Sequence, residues 1–182
     1  MSLKELTYEH HRNAERQEFV KVLMSGSIDP RLYATFLYNQ YVNYNILETV
    51  AMAQGVLNGL PDIRRAPKIL ADYTELWGDQ VDPPRTMPSG KDYADHIMSI
   101  ATNPDKLMAH IYTRHMGDLS GGQMIRKKIP GKGTMFDFDD PDTLKTAIRE
   151  RLNDNMADEA KICFEFATKL FQEMMDEVKS SS

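Results

Sequence analysis

Residues 112–123, YTRHMGDLSGGQ, place three glycines within six residues of a sequence that is otherwise typical of a helix. Each glycine in a helix interior costs about 1 kcal/mol relative to alanine. Gly117 and Gly121 are four residues apart, so they share a face if the helix continues. Helical sequence resumes after them as QMIRKKI. Two interpretations are open: a bend whose bare backbone approaches a flat ligand, or a plain break between two helices.

The sequence on both sides of this stretch predicts helices throughout. Ser2 and Glu5 form a capping box that opens a helix to about Met24. A capping residue followed by proline marks three further starts, at Asp29-Pro30, Asn103-Pro104 and Asp140-Pro141. The first of these opens a long helix to about residue 58, and the chain closes with a helix to about residue 178. No segment alternates with period two, so we expect one all-α domain over residues 1–182.

Composition excludes several classes of protein. The 182 residues carry a net charge of −5, which argues against a nucleic-acid partner. The one cysteine, Cys163, excludes an internal disulfide and fits a reducing compartment. No apolar run approaches membrane-spanning length, the N-terminal MSLKELTYEHH is too polar for a signal peptide, and the tail KSSS offers no anchor. We therefore expect a cytoplasmic protein without a membrane association, and nothing argues against a monomer.

Two weaker patterns concern charged and titratable side chains. Lys4 and His11 are seven residues apart, so on one helix they share a face at roughly 10 Å along the axis, with Glu15 one turn further on. An imidazole and an ammonium in this arrangement can meet one flat anionic ligand at its centre and rim. The alternative is an ordinary polar surface, which is the commoner context for an isolated histidine. Lys145 and Arg149, four apart, form a cationic face that is by itself most often a solvated pair.

Taken together, these patterns resemble the haem oxygenase family over nearly the whole chain. The segment LKELTYEHHRNAE resembles its proximal helix, AHIYTRHMGDLSGGQMIRKKI its distal helix, and EAKICFEFATKLFQE its last core helix. The resemblance implies a helical bundle that holds haem b between the proximal and distal helices, with no other metal. It also implies that haem is both substrate and oxygen-activating cofactor. The products would be biliverdin, opened at the α position, carbon monoxide and ferrous iron, formed with O2 and donated electrons.

The resemblance also implies roles for individual residues. His11 matches the iron ligand, and Glu15 is a candidate acceptor for its other nitrogen. The haem propionates and ring would be contacted by Lys4, Tyr112, Lys145, Arg149, Phe164 and Phe171. Gly117 and Gly121 would let the distal backbone lie close to the haem face. Asp118 would order the water that delivers protons, helped by Arg114 and Tyr41.

Two positions depart from the family pattern, and one surface suggests a partner. His115 stands where the family commonly carries tyrosine, and we expect it to face other helices. Ala167 replaces a polar residue that supports the water network in some members. A local basic patch on this acidic chain, which suits an acidic ferredoxin or a flavoprotein reductase as electron donor, comprises Arg126, Lys127, Lys128 and Lys132.

Three rival functions are considered. A di-iron carboxylate oxygenase needs Glu-x-x-His motifs, and none occurs in the sequence. A haem carrier without activity has no need of a carboxyl group such as Asp118 above the iron. A helical interaction module predicts no absorption change when haemin is added.

Overall fold

The computed structural model describes residues 1–180, which contain helices and no strand, and this confirms the predicted all-α class. The helices, in chain order, are α1 Leu3–Leu6, α2 Tyr8–Glu15, α3 Glu18–Met24, α4 Pro30–Ala53, α5 Ala66–Trp77, α6 Pro88–Ser99, α7 Pro104–Leu119, α8 Gly122–Arg126, α9 Pro141–Arg149 and α10 Ala157–Ser180. Single 3₁₀ turns lie at Thr134–Phe136 and Asp154–Met156.

The predicted capping residues open their helices as expected. The carboxylate of Asp29 accepts a hydrogen bond from the backbone N–H of Arg31 at 2.8 Å. The Asn103 and Asp140 side chains accept hydrogen bonds from the backbone N–H groups three residues further along, at Lys106 in α7 and Thr143 in α9, respectively. In each helix proline occupies the first position, where its missing N–H costs nothing.

The first predicted helix is wrong in its extent, because residues 3–24 form three short helices. Thr7 interrupts the first with φ −105° and ψ 5°, and its hydroxyl donates to the carbonyl of Leu3 at 2.9 Å. Gln17 is extended, with ψ 143°, and separates α2 from α3. The long helix α4 also ends early, at Ala53, since Gly55 and Gly59 adopt positive φ angles of 73° and 77° in the turns that follow.

The glycine-rich stretch contains both a continuous helix and a break. Helix α7 passes through Gly117 and ends at Leu119. Ser120 is non-helical, with φ −114° and ψ −87°, and α8 restarts at Gly122. Thus one glycine lies inside a helix and the other two lie at a bend.

The core is arranged around α4, α7 and α10. Helix α4 packs against α5, α6 and α7, while α10 packs against α2, α3, α6 and α7. The N-terminal segment and the glycine-bearing helix therefore share α10 as a neighbour. Within residues 1–180, no helix combines the length and the apolar character needed to cross a bilayer.

Candidate functional site

The backbone at Gly117 and Gly121 is not covered by other parts of the protein. A methyl group added at Gly117 would meet no heavy atom within 4 Å, and one at Gly121 would meet only the Gly117 carbonyl oxygen at 3.9 Å. Packing within the described chain therefore does not require glycine at either position. The bare backbone leaves space at this bend that a side chain at either position would occupy.

Gly122 has a different role. A methyl group there would lie 2.7 Å from the Phe136 ring, which is closer than carbon atoms approach. The third glycine thus serves packing between α8 and the 3₁₀ turn, whereas the first two leave open space.

Asp118 lies next to this open backbone and is buried. The hydroxyl of Tyr44, on α4, donates to Asp118 Oδ2 at 2.8 Å. Burial raises the pKa of Asp118 to about 6, although the charge of His115 and the hydrogen bond from Tyr44 oppose the rise. A carboxyl group with this pKa exchanges protons readily near neutral pH.

Arg114 is a buried cation one turn before Asp118. Its Nε donates to the hydroxyl of Tyr93 at 3.0 Å, and its guanidinium lies 4.3 Å from the centre of the Tyr93 ring. The ring of Tyr44 is 5.5 Å away on the other side. The Nη2 atom of Arg114 is buried and has no hydrogen-bond partner within residues 1–180. An unpaired buried donor is costly, and its position near Asp118 suits water or another polar group in the site.

His115 forms a buried ion pair with Glu48. The Nε2 atom lies 2.8 Å from Glu48 Oε2, Nδ1 lies 2.9 Å from the Ile111 carbonyl, and neither the imidazole nor the carboxylate is exposed. A carbonyl can only accept, so Nδ1 must donate. The carboxylate also accepts the backbone N–H groups of Arg65 at 2.6 Å and Ala66 at 3.0 Å.

Glu48 is therefore ionised, and His115 donates from both nitrogens as an imidazolium. Burial acts to raise the pKa of Glu48, but the hydrogen bonds from His115 and the backbone outweigh burial and lower it. His115 faces other helices, as expected, and it also places a positive charge three residues before Asp118. These contacts give a structural role to His115, the position where the sequence resemblance leads us to expect tyrosine.

His11 is on α2 and about half exposed, with its ring stacked on Phe164 of α10 at a centroid distance of 5.2 Å and 16° between planes. Its Nε2 lies 2.6 Å from Glu15 Oε1. The predicted pairing of His11 with Glu15 is thus present, and it leaves Nδ1 without a hydrogen bond in the described chain. A half-turn of the imidazole would direct Nδ1 toward Glu15 and leave Nε2 on the opposite edge.

The predicted propionate-binding residues lie on three helices. Burial raises the pKa of Tyr112, and the positive charge of Arg149 opposes the rise, so α7 and α9 bring these two side chains near each other. Lys4 and Arg149 are exposed and Lys145 is half-buried. None of the three cations forms an ion pair within residues 1–180, which leaves them available to an anion.

Two predicted residues, Phe171 and Tyr41, pack against a hydrophobic cluster that contains Phe19 and Phe36. Phe171 stacks on Phe36 at 5.9 Å and on Phe19 at 6.3 Å, and it is half-buried. Tyr41 packs against the same cluster, and Tyr44, one turn later, makes the contact with Asp118. Sequence reasoning missed Tyr44 because both tyrosines occupy a largely apolar helix and nothing local distinguishes them. It also missed Glu48, whose only signal is a carboxylate inside that helix.

Comparison with known proteins gives one consistent family. The sequence model of the family described as heme oxygenase matches residues 1–173. The chain is 31% identical to heme oxygenase 2 of Macaca fascicularis, over 94% of the chain and 64% of that protein. It is 30% identical to heme oxygenase 1 of Synechocystis, over 94% of the chain and 82% of that protein. The chain thus spans less than two thirds of the length of the macaque relative.

Solved structures agree with the sequence comparisons. The crystal structure of heme oxygenase-1 from Synechocystis in complex with heme superposes with a TM-score of 0.84 at 27% identity, covering 98% of this chain and 93% of that one. The heme oxygenase of Leptospira interrogans superposes with a TM-score of 0.81 at 28% identity, covering 95% of this chain and 100% of that one.

The raised pKa of Asp118 predicts a pH-dependent effect of Asp118→Asn on stability. The pKa is about 6 in the folded chain against an ordinary 3.8, and about two units correspond to about 3 kcal/mol. Because the folded pKa is raised, the carboxyl group favours folding below about pH 4 and loses this contribution as the pH rises through about 6. Asparagine keeps an acceptor for Tyr44 and has no charge to bury.

Relative to the parent, the variant should therefore gain about 3 kcal/mol in free energy of unfolding between about pH 4 and pH 7. Urea unfolding at the two pH values measures this difference. If the free energies of unfolding of variant and parent differed by the same amount at both pH values, Asp118 would not titrate as assigned.

The His115–Glu48 pair predicts a large loss of stability for His115→Phe. The substitution leaves a buried carboxylate without its imidazolium, which typically costs about 3–5 kcal/mol. His10→Phe is the matched control, because His10 pairs with Glu165 at 3.2 Å with both side chains substantially exposed, and such pairs contribute about 0–1 kcal/mol. Denaturant unfolding of both variants at neutral pH makes the comparison; equal losses would contradict the assignment.

Proposed function

Because the chain belongs to the haem oxygenase family, we propose that it opens the ring of haem to give biliverdin, carbon monoxide and ferrous iron. Dioxygen and donated electrons are the other reactants. The observation that carries the proposal is the uncovered backbone at Gly117 and Gly121 beside a buried carboxyl group. Action in the cytoplasm, as a monomer and one domain over residues 1–182, is part of the same proposal.

The residues present fit haem b on both sides and at its edge. Haem, when bound, supplies the iron that activates dioxygen and is also the molecule that is opened. A flat ring needs bare backbone on one face, which Gly117 and Gly121 offer. The ring also needs an imidazole on its other face. Its two carboxylates need cations, and Lys4, Lys145 and Arg149 are cations that form no ion pair within the described chain.

On the proximal side, His11 is the residue that would hold the haem iron, through one nitrogen of its imidazole. Glu15 accepts a hydrogen bond from the nitrogen that does not bind metal, which fixes the ring and makes it a better donor. Stacking on Phe164 restricts rotation of the same ring. Both contacts restrict the plane of the imidazole, and a half-turn within that plane decides which nitrogen faces Glu15.

On the distal side, Asp118 holds and passes protons. Its pKa of about 6 lets it do both near neutral pH. Tyr44 orients the carboxyl group through its hydroxyl, and the free Nη2 of Arg114 can fix a water molecule nearby. Tyr41 remains a further predicted contributor to this network.

At the edge, paired contacts fix how the ring is turned. Arg149 and Lys145 lie one turn apart on α9, Tyr112 lies near Arg149, and Lys4 lies on α1. These groups would hold the two propionates through charge-assisted hydrogen bonds and so would fix the orientation of the ring relative to Asp118. We assign opening at the α position to this arrangement, and Phe164 and Phe171 to the lining of the pocket.

Addition of haemin to the purified chain, followed by ascorbate in air, tests the function. We expect a Soret band on binding, then its loss with the appearance of a bilin absorption. A stable Soret band without conversion would leave haem binding alone, and the absence of any Soret band would refute the haem proposal. His11→Ala should lose the normal axial ligation, whereas His10→Ala should retain it.

The substitution Gly117→Ala tests whether Gly117 is needed for a ligand or for the folded structure. Since α7 is helical there and the added methyl meets nothing within 4 Å, the variant should be more stable by up to about 1 kcal/mol. The same methyl should lower haem affinity and turnover at least about 10-fold, because it occupies the ring's space. Thermal unfolding and haemin titration measure the two effects.

Gly122→Ala is the matched control for this prediction. Its methyl would meet Phe136, so it should lower stability. If Gly117→Ala bound and converted haem normally, the space beside Gly117 would not be the haem site.

The electron donor is proposed to dock on the basic patch that follows α8. Lys127, Lys128 and Lys132 are exposed, and Arg126 is partly neutralised by an ion pair with Asp137. The patch directly follows the helix that carries Gly122, so a docked donor lies near the haem pocket. An acidic ferredoxin or a flavoprotein reductase has the complementary charge.

Charge reversal tests this docking. Lys127→Glu with Lys128→Glu should raise the KM for an acidic ferredoxin about 10-fold at low salt and leave ascorbate-driven conversion unchanged. Lys91→Glu is the control, since Lys91 is exposed on α6. An unchanged KM in the double variant would exclude this patch as the docking surface.

A further inference from the structure

Three metal-ligating side chains converge away from the glycine-bearing bend. His96 of α6, His110 of α7 and Glu159 of α10 place their donor atoms within 4.8 Å of one another. Both imidazoles point their Nε2 atoms at the same oxygen, Glu159 Oε1, with His110 at 2.8 Å and His96 also in hydrogen-bond contact. The cluster joins the consecutive helices α6 and α7 to α10.

The chemistry of this set is that of a site for a borderline divalent cation. Two imidazoles and one carboxylate are the protein ligands of many zinc and non-haem iron sites. His110 is fully buried, Glu159 is 8% exposed and His96 is 23% exposed, so a cation can enter past His96. Without a cation, the two imidazoles can share Glu159 Oε1 only through hydrogen bonds from their Nε2 atoms.

An outer contact already orients one of the imidazoles. The Nδ1 atom of His110 lies 2.8 Å from the Tyr93 hydroxyl, which also accepts a hydrogen bond from Arg114 Nε. A metal-bound histidine nearly always has such a partner on its second nitrogen, which fixes the ring and directs the first nitrogen toward the metal. When the hydroxyl accepts from His110 and Arg114, its own O–H is free to donate a hydrogen bond to the sulfur of Cys163, 4.0 Å away.

We propose that His96, His110 and Glu159 bind one divalent cation of the zinc class, with a fourth position open to solvent on the His96 side. In a tetrahedral site with bonds of about 2.0–2.2 Å, ligand atoms stand about 3.3–3.6 Å apart. The donor atoms lie within 4.8 Å of one another, and the His110 Nε2–Glu159 Oε1 separation of 2.8 Å is shorter than this spacing, so the side chains would rotate apart to admit the cation. The site goes beyond the sequence-based expectation that haem iron is the only metal.

The site uses none of the residues proposed to contact haem, so it is tested on the full chain without haem, freed of metals by a chelator. Titration with ZnCl2, followed by calorimetry in a non-coordinating buffer, should show one saturable site per chain. X-ray absorption at the zinc edge should show two imidazoles and one oxygen ligand from the protein. A 100-fold excess over Kd should raise the melting temperature by about 5–10 °C, because the cation ties three helices of the folded state together.

His96→Asn should weaken zinc binding at least about 100-fold, since it removes a ligand rather than an outer contact. His96→Asn is more informative than a substitution of the fully buried His110, because His96 is partly exposed and its replacement is compatible with folding. His10→Asn is the control for exposed histidines, and His11→Asn the control for the His11–Glu15 pair.

The affinity should also fall as the pH is lowered, because protons compete for both imidazoles. No saturable binding, or binding that survives His96→Asn but is lost in His11→Asn, would overturn the proposal. Neither result bears on haem turnover, so failure here is distinguishable from failure of the proposed function.

Discussion

The carboxylate of Glu48 is the contact on which the arrangement of the site depends. It sits fully buried near the end of α4, accepts the first backbone N–H groups of α5 at Arg65 and Ala66, and pairs with His115 of α7. A buried charge is tolerated only where hydrogen bonds replace its water. Three helices must therefore meet at this one point. The Arg65 side chain extends the constraint, since its guanidinium donates to the carbonyls of Met135 and Asp137 and fixes the segment that covers Gly122.

The state of Asp118 follows from this constraint. Burial alone would push its pKa far upward, and the site needs a carboxyl group that both holds and releases a proton. The imidazolium of His115, held in place by Glu48, opposes burial, as does the hydrogen bond from Tyr44, and the balance lies at about 6. A neutral side chain at position 115 would lack this charge. His115 therefore sets the electrostatics next to the bend as well as the link between α4 and α7.

Local sequence patterns were sufficient for some features and insufficient for others. Caps and prolines located the starts of α4, α7 and α9, because the signals lie within four residues of each other. The split at Thr7 was missed, since a threonine hydroxyl that bonds to its own helix leaves no pattern in sequence. The Tyr44–Asp118 contact joins residues 74 apart, and His96 meets Glu159 across 63. Such contacts depend on how helices pack, and periodicity within one helix says nothing about which tyrosine of α4 faces α7.

Buried polar side chains surround the bend between α7 and α8. Gly117 faces open space inside α7, where it adds no packing and costs about 1 kcal/mol relative to alanine, and Gly121 lies at the bend between the two helices. The polar face of α7 supplies the contacts to other helices that the glycines cannot make. His110, Arg114 and Asp118 recur every four residues along one face, and each bonds to a side chain of another helix, namely Glu159, Tyr93 and Tyr44. His115 adds the fourth bond from an adjacent face. Directional bonds to α4, α6 and α10 fix both the position and the rotation of α7, and a bare backbone can then remain uncovered beside a flat ligand without collapsing onto the core.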